Sequence, residues 1–275
     1  MGEPGLRRVT LDREVSLSGN TIRSKAGQST ITLRPGAAGF GFTRGDTGAR
    51  YPADLGHVHK VPNCTALGDR KPAVYVVEHV LSALVGLGFT DAEIEVSCEE
   101  APLLDGSAQP YVEALLAAGR RELDGEVEPL APSEPVWHAR ERGGLVALPS
   151  DRLVIEYSLD HGHPRIGRQH VRLEAGFDYA AELAPARTFA TDEEIRFLQR
   201  WRKIRGGSES NVLVVYPDHY SAELRLEREF ARHKLVDLLG DLALTGRPIQ
   251  AHLIAWRTGH HDNHELGRKL LAAGP

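Results

Sequence analysis

Cysteine is nearly absent: Cys64 and Cys98 are the only two in 275 residues. A disulfide-stapled scaffold is therefore excluded as an expectation, and a reducing cytoplasm is the natural setting. Long apolar runs are missing too. No stretch approaches the roughly 20 consecutive apolar residues that a spanning helix needs. The opening MGEPGLRRVTLDRE lacks the apolar region of a secretory signal, and Leu6 and Arg7 stand where a lipidation motif needs Ser or Thr. The expectation is a soluble, unexported, cytoplasmic chain with at most transient contact with a membrane surface. Nor is there an excess of positive charge. Lys and Arg number 33 against 38 Asp and Glu, a formal net charge of -5, so the broad basic field of a nucleic-acid binder is not expected. What the chain does have is 41% hydrophobic residues, enough to bury a core of one large or two small domains.

The first quarter alternates apolar and polar residues in short runs such as STITLRP and GFGFTRG, a strand-and-turn signature. Residues 74–77 (VYVV) read as a buried strand and 79–88 as a helix stopped by glycine. AEIEVSCE then reads as a strand, and PYVEALLAAG as a helix ending at Gly119. Residues 124–135, DGEVEPLAPSEP, hold three prolines and four acids, which suits an extended connector and places a boundary there. The second half restarts with strands, RLVIEYSLD and NVLVVYP, followed by helices over 227–245 and 262–273. No residue-level repeat relates the halves, only a similar order of elements, which implies an α+β fold with paired layers.

Three segments can carry chemistry. In REFARHKLVDLLGDLALTG, His233, Asp237 and Asp241 fall at i, i+4 and i+8 and share one helical face. A neutral imidazole and a carboxylate one turn apart can reach a single borderline metal ion, and a third ligand from elsewhere leaves zinc an open position. The same spacing also suits a solvated helical pair. In VVEHVLSAL, Glu78 and His79 sit where a strand passes into a helix. A carboxylate that is not itself a ligand can take a proton from water beside a ligating His79, or Glu78 can simply favour the positive helix end. In WRTGHHDNHELGRKLL, His260 and His261 precede the final helix, with Asp262 and Glu265 spaced like a capping box. A histidine on such a turn can protonate a leaving amine or be plain polar surface. With 13 histidines in the chain, coincidence competes.

Taken together, VEHVLSALVGLG, PLLDGSAQPYVEAL, HGHPRIGRQ, APARTF, GGSESNVLVV, FARHKLVDLLGDLALTG and GHHDNHEL follow the order found in the UDP-3-O-acyl-N-acetylglucosamine deacetylase family, which the chain resembles from about Val9 to its end. The resemblance implies two α+β domains, residues 1–128 and 129–275, each a two-layer helix and sheet sandwich, facing each other across a zinc cleft. It implies His79, His233 and Asp237 as ligands of Zn2+, with Fe2+ as the competing ion. It implies Glu78 as the base, His260 as electrostatic partner and acid, and Asp241 as the carboxylate orienting His260. Thr188 would stabilise the oxyanion, and Phe189 would contact the sugar or its acyl neighbour. Lys234, about 100° around the helix from His233, and Arg257, where the family commonly has lysine, would meet the diphosphate. Asp160 and His161 would meet the uracil. Asp105-Gly106-Ser107 reads as a scaffold turn. Cys64 reads as a small buried hydrophobe rather than a cleft residue with a role. The implied activity is deacetylation of a UDP-linked acylated N-acetylglucosamine, the committed step of lipid A synthesis, by a monomer.

The chain departs from the family pattern in four places. Ile22, Arg23 and Ser24 stand in a turn that usually has a Gly-Leu-His core and helps enclose the acyl chain. His161 replaces a phenylalanine and offers less stacking area. Ala190-Thr191 replaces Gly-Phe, and Ser210 replaces an acid before Asn211. These departures keep open a divergent deacetylase acting on another N-acetylated sugar nucleotide or glycan. A non-catalytic zinc-binding homologue is a third reading, disfavoured because structural zinc needs neither Glu78 nor His260.

Overall fold

The computed structural model describes residues 6–200 and 208–274. It is an α+β fold, as the order of elements implies. Two five-stranded sheets form its frame. The first orders its strands Val15–Asn20, Gln28–Arg34, Ala92–Val96, Phe40–Arg44 and Arg50–Pro52. The second orders Val136–Arg140, Gly143–Pro149, Ala251–Trp256, Val154–Asp160 and Arg168–Leu173. Both follow one plan: two antiparallel hairpins flank a central strand that comes last in the chain, antiparallel to one neighbour and parallel to the other. A repeat invisible in residue identity is therefore plain in strand pairing.

A helix enters each central strand and another leaves it. In the first half these are α1 (Glu78–Gly86) and α2 (Gln109–Ala118). Two short helices follow, α3 (Tyr179–Glu182) and α4 (Asp192–Arg200), and the second half then has α5 (Glu229–Leu242) and α6 (His260–Ala273). Residues 78–84 of α1 are all buried, and in α5 only Arg232 and Lys234 escape burial. A helix buried on nearly every side must lie between other elements. Accordingly α1 and α5 pack against each other at the centre, and buried side chains from both halves join in one continuous core.

Glycine lets both α5 and α3 approach α1 closely. A Cβ at Gly240 of α5 would lie 2.0 Å from the Glu78 carbonyl oxygen, and one at Gly86 of α1 would lie 2.4 Å from the Tyr179 ring. Across the boundary, Arg225 Nη1 donates to Asp105 Oδ2 at 2.6 Å, so the Asp105 turn also ties the halves together. Two small excursions complete the frame. Val58–His59, Ala66–Leu67 and Val74–Tyr75 pair as a small sheet, and Phe189–Thr191 lies parallel to Leu213–Val215 around α4.

Several expected elements shift. The strand expected at 74–77 stops at Tyr75 because Val76 turns to φ 62. The stretch expected as a connector from residue 124 begins inside a strand, Arg120–Val127, paired with Leu6–Leu11. The last helix starts at His260 rather than residue 262, with Gly259 as N-cap. Asp262 is thus the third helical residue and accepts from Gly259 N at 3.1 Å, while Glu265 pairs with Arg268. The proposed Asp262–Glu265 box is replaced by one whose cap is glycine. Among the described residues, no helix is long and apolar enough to cross a membrane.

Candidate metal centre and cleft

His79, His233 and Asp237 converge, each offering a ligand atom within 4.8 Å of the others, and all three are buried. His79 is the second residue of α1, whereas His233 and Asp237 lie one turn apart on α5. The central helix pair thus brings together ligands from opposite halves. Asp237 Oδ1 lies 3.4 Å from His233 Nε2 and 4.0 Å from His79 Nε2. Donors about 2.0–2.2 Å from a tetrahedral zinc stand about 3.3 Å apart, so these separations suit an ion between them and are long for direct hydrogen bonds.

At His233 and Asp237 the remaining atoms agree. His233 Nδ1 meets the Ala186 carbonyl at 3.1 Å, which leaves Nε2 to face the centre. Lys234 Nζ takes Asp237 Oδ2 at 2.8 Å and leaves Oδ1 for a single bond to metal. His79 Nδ1 is buried with no hydrogen-bond partner. Burial, then the neighbouring His233, pushes His79 down to about 3, and burial also lowers His233, so both imidazoles are neutral, as ligation requires. Burial works against an ionised Asp237, but Lys234 and His233 outweigh it and hold the carboxyl well below its usual range. Two neutral imidazoles, one carboxylate and an open side suit a catalytic zinc centre.

The open side faces a cleft of about 1200 Å³. Glu78, at the start of α1, points into it and accepts from Thr65 N at 3.0 Å. Burial raises this carboxyl to about 7 against the opposing pull of His260. His260 Nδ1 meets Asp241 Oδ2 at 2.9 Å. Burial disfavours its charged form, but Asp241 and Asp237 prevail and bring His260 up to about 10. It therefore stays protonated at neutral pH while Glu78 sits near its own midpoint. Asp241 itself is fully buried and held well below the carboxylate range. Burial opposes its ionisation, but His260 and His264 overcome that.

Every other residue singled out in the sequence for the site lines this cleft, apart from Asp241 beneath it. Thr188 is held through its backbone, its N–H donating to Gly106 O at 2.7 Å and its carbonyl accepting from Leu213 N at 2.9 Å. Phe189 packs edge-on to Phe230 at 4.8 Å and lies 6.3 Å from the His161 ring. Lys234, expected to meet the diphosphate, lines the cleft and donates its ammonium to Asp237 Oδ2, 5.7 Å from the Phe189 ring centre. Arg257, at φ 51, faces Asp160 across 3.6 Å. His261 also lines the cleft, and Cys64 does so as part of a small apolar cluster, its thiol pushed up to about 12 by burial. Of the departures, Ile22, Arg23, His161 and Ala190 face the cleft, while Ser210 bonds to Ser208.

Several partners of these groups were not legible in the sequence. Thr65, Asn263 and His264 all donate to Asp241, and Glu100 accepts from the backbone N–H groups of Ile22, Arg23 and Ser24 at 2.7, 2.8 and 2.6 Å. Arg140 grips Asp262 through Nε at 3.0 Å and the Arg257 carbonyl at 2.7 Å, steadying the turn before His260.

Comparison with known proteins gives the same family. The family model described as UDP-3-O-acyl N-acetylglycosamine deacetylase matches residues 8–272. The UDP-3-O-acyl-N-acetylglucosamine deacetylase of Leptospira biflexa is 36% identical over 274 residues, covering 97% of this chain and 90% of the relative. Those of Trichormus variabilis and Chlamydia caviae are 35% and 37% identical, covering 97% and 95% of this chain and 99% and 96% of the relatives. With a match over nearly its whole length, the chain belongs to the UDP-3-O-acyl-N-acetylglucosamine deacetylase family of amide-hydrolysing enzymes.

Proposed function

We propose that the protein removes the N-acetyl group from UDP-3-O-(3-hydroxyacyl)-N-acetylglucosamine as a monomer in the cytoplasm, releasing acetate and the free amine in the committed step of lipid A synthesis. The observation that carries this reading is the convergence of His79, His233 and Asp237 beside an open cleft in a chain of this family. We assign the ion as zinc, with Fe2+ as competitor, because two imidazoles and a carboxylate suit either. Bound there, it would supply Lewis acidity to the acetamide carbonyl and to the attacking water.

The chain's own groups do the rest. Glu78, brought by burial to about 7, takes the proton of the water that attacks the carbonyl carbon. The new C–O bond places charge on the carbonyl oxygen, which the Thr188 hydroxyl and the positive His260 stabilise. The C–N bond then breaks and His260 Nδ1–H stays on Asp241, so the proton passed to the leaving nitrogen comes from Nε2. Asp241 keeps the ring in that orientation. Lys234 and Arg257 face the diphosphate, Asp160 and His161 the uracil, and Phe189 the sugar or its acyl neighbour.

Acetate release from the acylated nucleotide sugar tests the reading. Glu78→Gln should lower kcat by about 10²–10⁴-fold with metal content unchanged. An undiminished rate in that variant would show that Glu78 is not the base. A second reading, a deacetylase of another N-acetylated sugar nucleotide or glycan, draws on Arg23, His161 and Ala190 in the cleft wall. It gains if a substrate without the 3-O-acyl chain is preferred.

A further inference from the structure

Thr65 is wholly buried, and each of its polar atoms is engaged around the cleft. Its N–H donates to Glu78 Oε2 at 3.0 Å. Its carbonyl accepts from Val76 N at 2.9 Å and Val77 N at 3.5 Å. Its hydroxyl donates to Asp241 Oδ1 at 2.5 Å and lies 3.1 Å from His264 Nε2. Thr65 belongs to the first half of the chain, whereas Asp241 and His264 belong to the second.

The carbonyl contact bears on backbone strain. Val76 has φ 62, a conformation that β-branched residues rarely adopt. Such a turn persists only where its surroundings hold it. Here Thr65 O holds the Val76 N–H, and the chain leaves the turn directly into Val77, Glu78 and His79. One residue therefore anchors the entry to α1, one oxygen of the Glu78 carboxylate, and the carboxylate that holds His260.

We infer that Thr65 is a positioning residue that sets the Glu78 arm and the Asp241–His260 arm relative to each other across the junction of the two halves. The inference rests on the base and acid roles proposed above. Its one side-chain link is separable from its two backbone links. Thr65→Val keeps the shape, the amide and the carbonyl but removes the hydroxyl, leaving Asp241 Oδ1 with His264 alone. Thr65→Ser keeps all three links.

Two readouts are needed, together with metal content and thermal unfolding to establish that each variant is folded and loaded. The first is steady-state acetate release. Thr65→Val should lower kcat about 10–100-fold, as loss of an outer partner does, with KM within about twofold, and Thr65→Ser should recover most of the rate. The second is the imidazole Nδ1–H proton resonance of His260, assigned by its loss in His260→Gln. It should move in Thr65→Val and return in Thr65→Ser. An unmoved resonance, an unchanged kcat, or a serine variant as impaired as the valine one overturns the inference. A wild-type protein that releases no acetate defeats the deacetylase reading instead, and the resonance still decides whether Thr65 couples to His260.

Discussion

Three acids meet in one buried region, and their partners send them to different ends of the pH scale. Glu78 has one described hydrogen bond to its carboxylate, from Thr65 N, and burial lifts it to about 7. Asp237 has Lys234 and His233, and Asp241 has His260, Asn263, His264 and Thr65, so burial is overcome in both. Groups pushed apart in this way can serve as base, ligand and anchor at one pH. His260 gives a test with a definite sign. Burial lowers it, Asp241 raises it further, and its protonated form should persist up to about 10. If that form is the acid, kcat is unaffected by this group at lower pH and falls as pH rises through about 10. A pH–rate profile should show that alkaline limb in wild type and lose it in His260→Gln, and an equal limb in the variant would assign it elsewhere. His233, Asp237 and Asp241 were legible because their spacing is local and helical. Thr65 was not, since its hydroxyl meets a carboxylate 176 residues away and no pattern of nearby residues marks it.

Four helices, α1, α2, α5 and α6, were legible within about three residues because apolar spacing and glycine stops mark them, as Gly119 at φ 76 does after α2, whereas the short α3 and α4 were not expected. Their entries were less so. Gly259 caps α6 without a side chain, and the strand before α1 is cut short by the unusual Val76. Nor did sequence explain Gly240, which looks like a weak point in DLLGDL but is the contact through which α5 meets the first residue of α1. Backbone so close to a new methyl group cannot move aside as a flexible side chain would. Gly240→Ala should therefore destabilise the protein by about 1–3 kcal/mol in chemical denaturation. It should also reduce activity, because the displaced carbonyl is that of Glu78. A stable variant with full activity would mean that the helix pair has slack at this crossing.

At the scale of the molecule, both halves repeat one strand plan, and each sends its entering helix to the centre. The repeat was hidden from sequence because pairing depends on backbone topology while the facing side chains have diverged. We propose 1–128 and 129–275 as the two units. Their shared core predicts one cooperative transition in calorimetry of the metal-free protein, with calorimetric and van't Hoff enthalpies in agreement. Two resolved transitions would show that the halves fold independently. The proposed chemistry depends on an ion held between those halves by His79, His233 and Asp237. Anomalous diffraction at the zinc edge from crystals of the zinc-loaded protein tests it most directly. The predicted result is one strong peak about 2.0–2.2 Å from His79 Nε2, His233 Nε2 and Asp237 Oδ1. A peak bound elsewhere, or none between these three side chains, would contradict it.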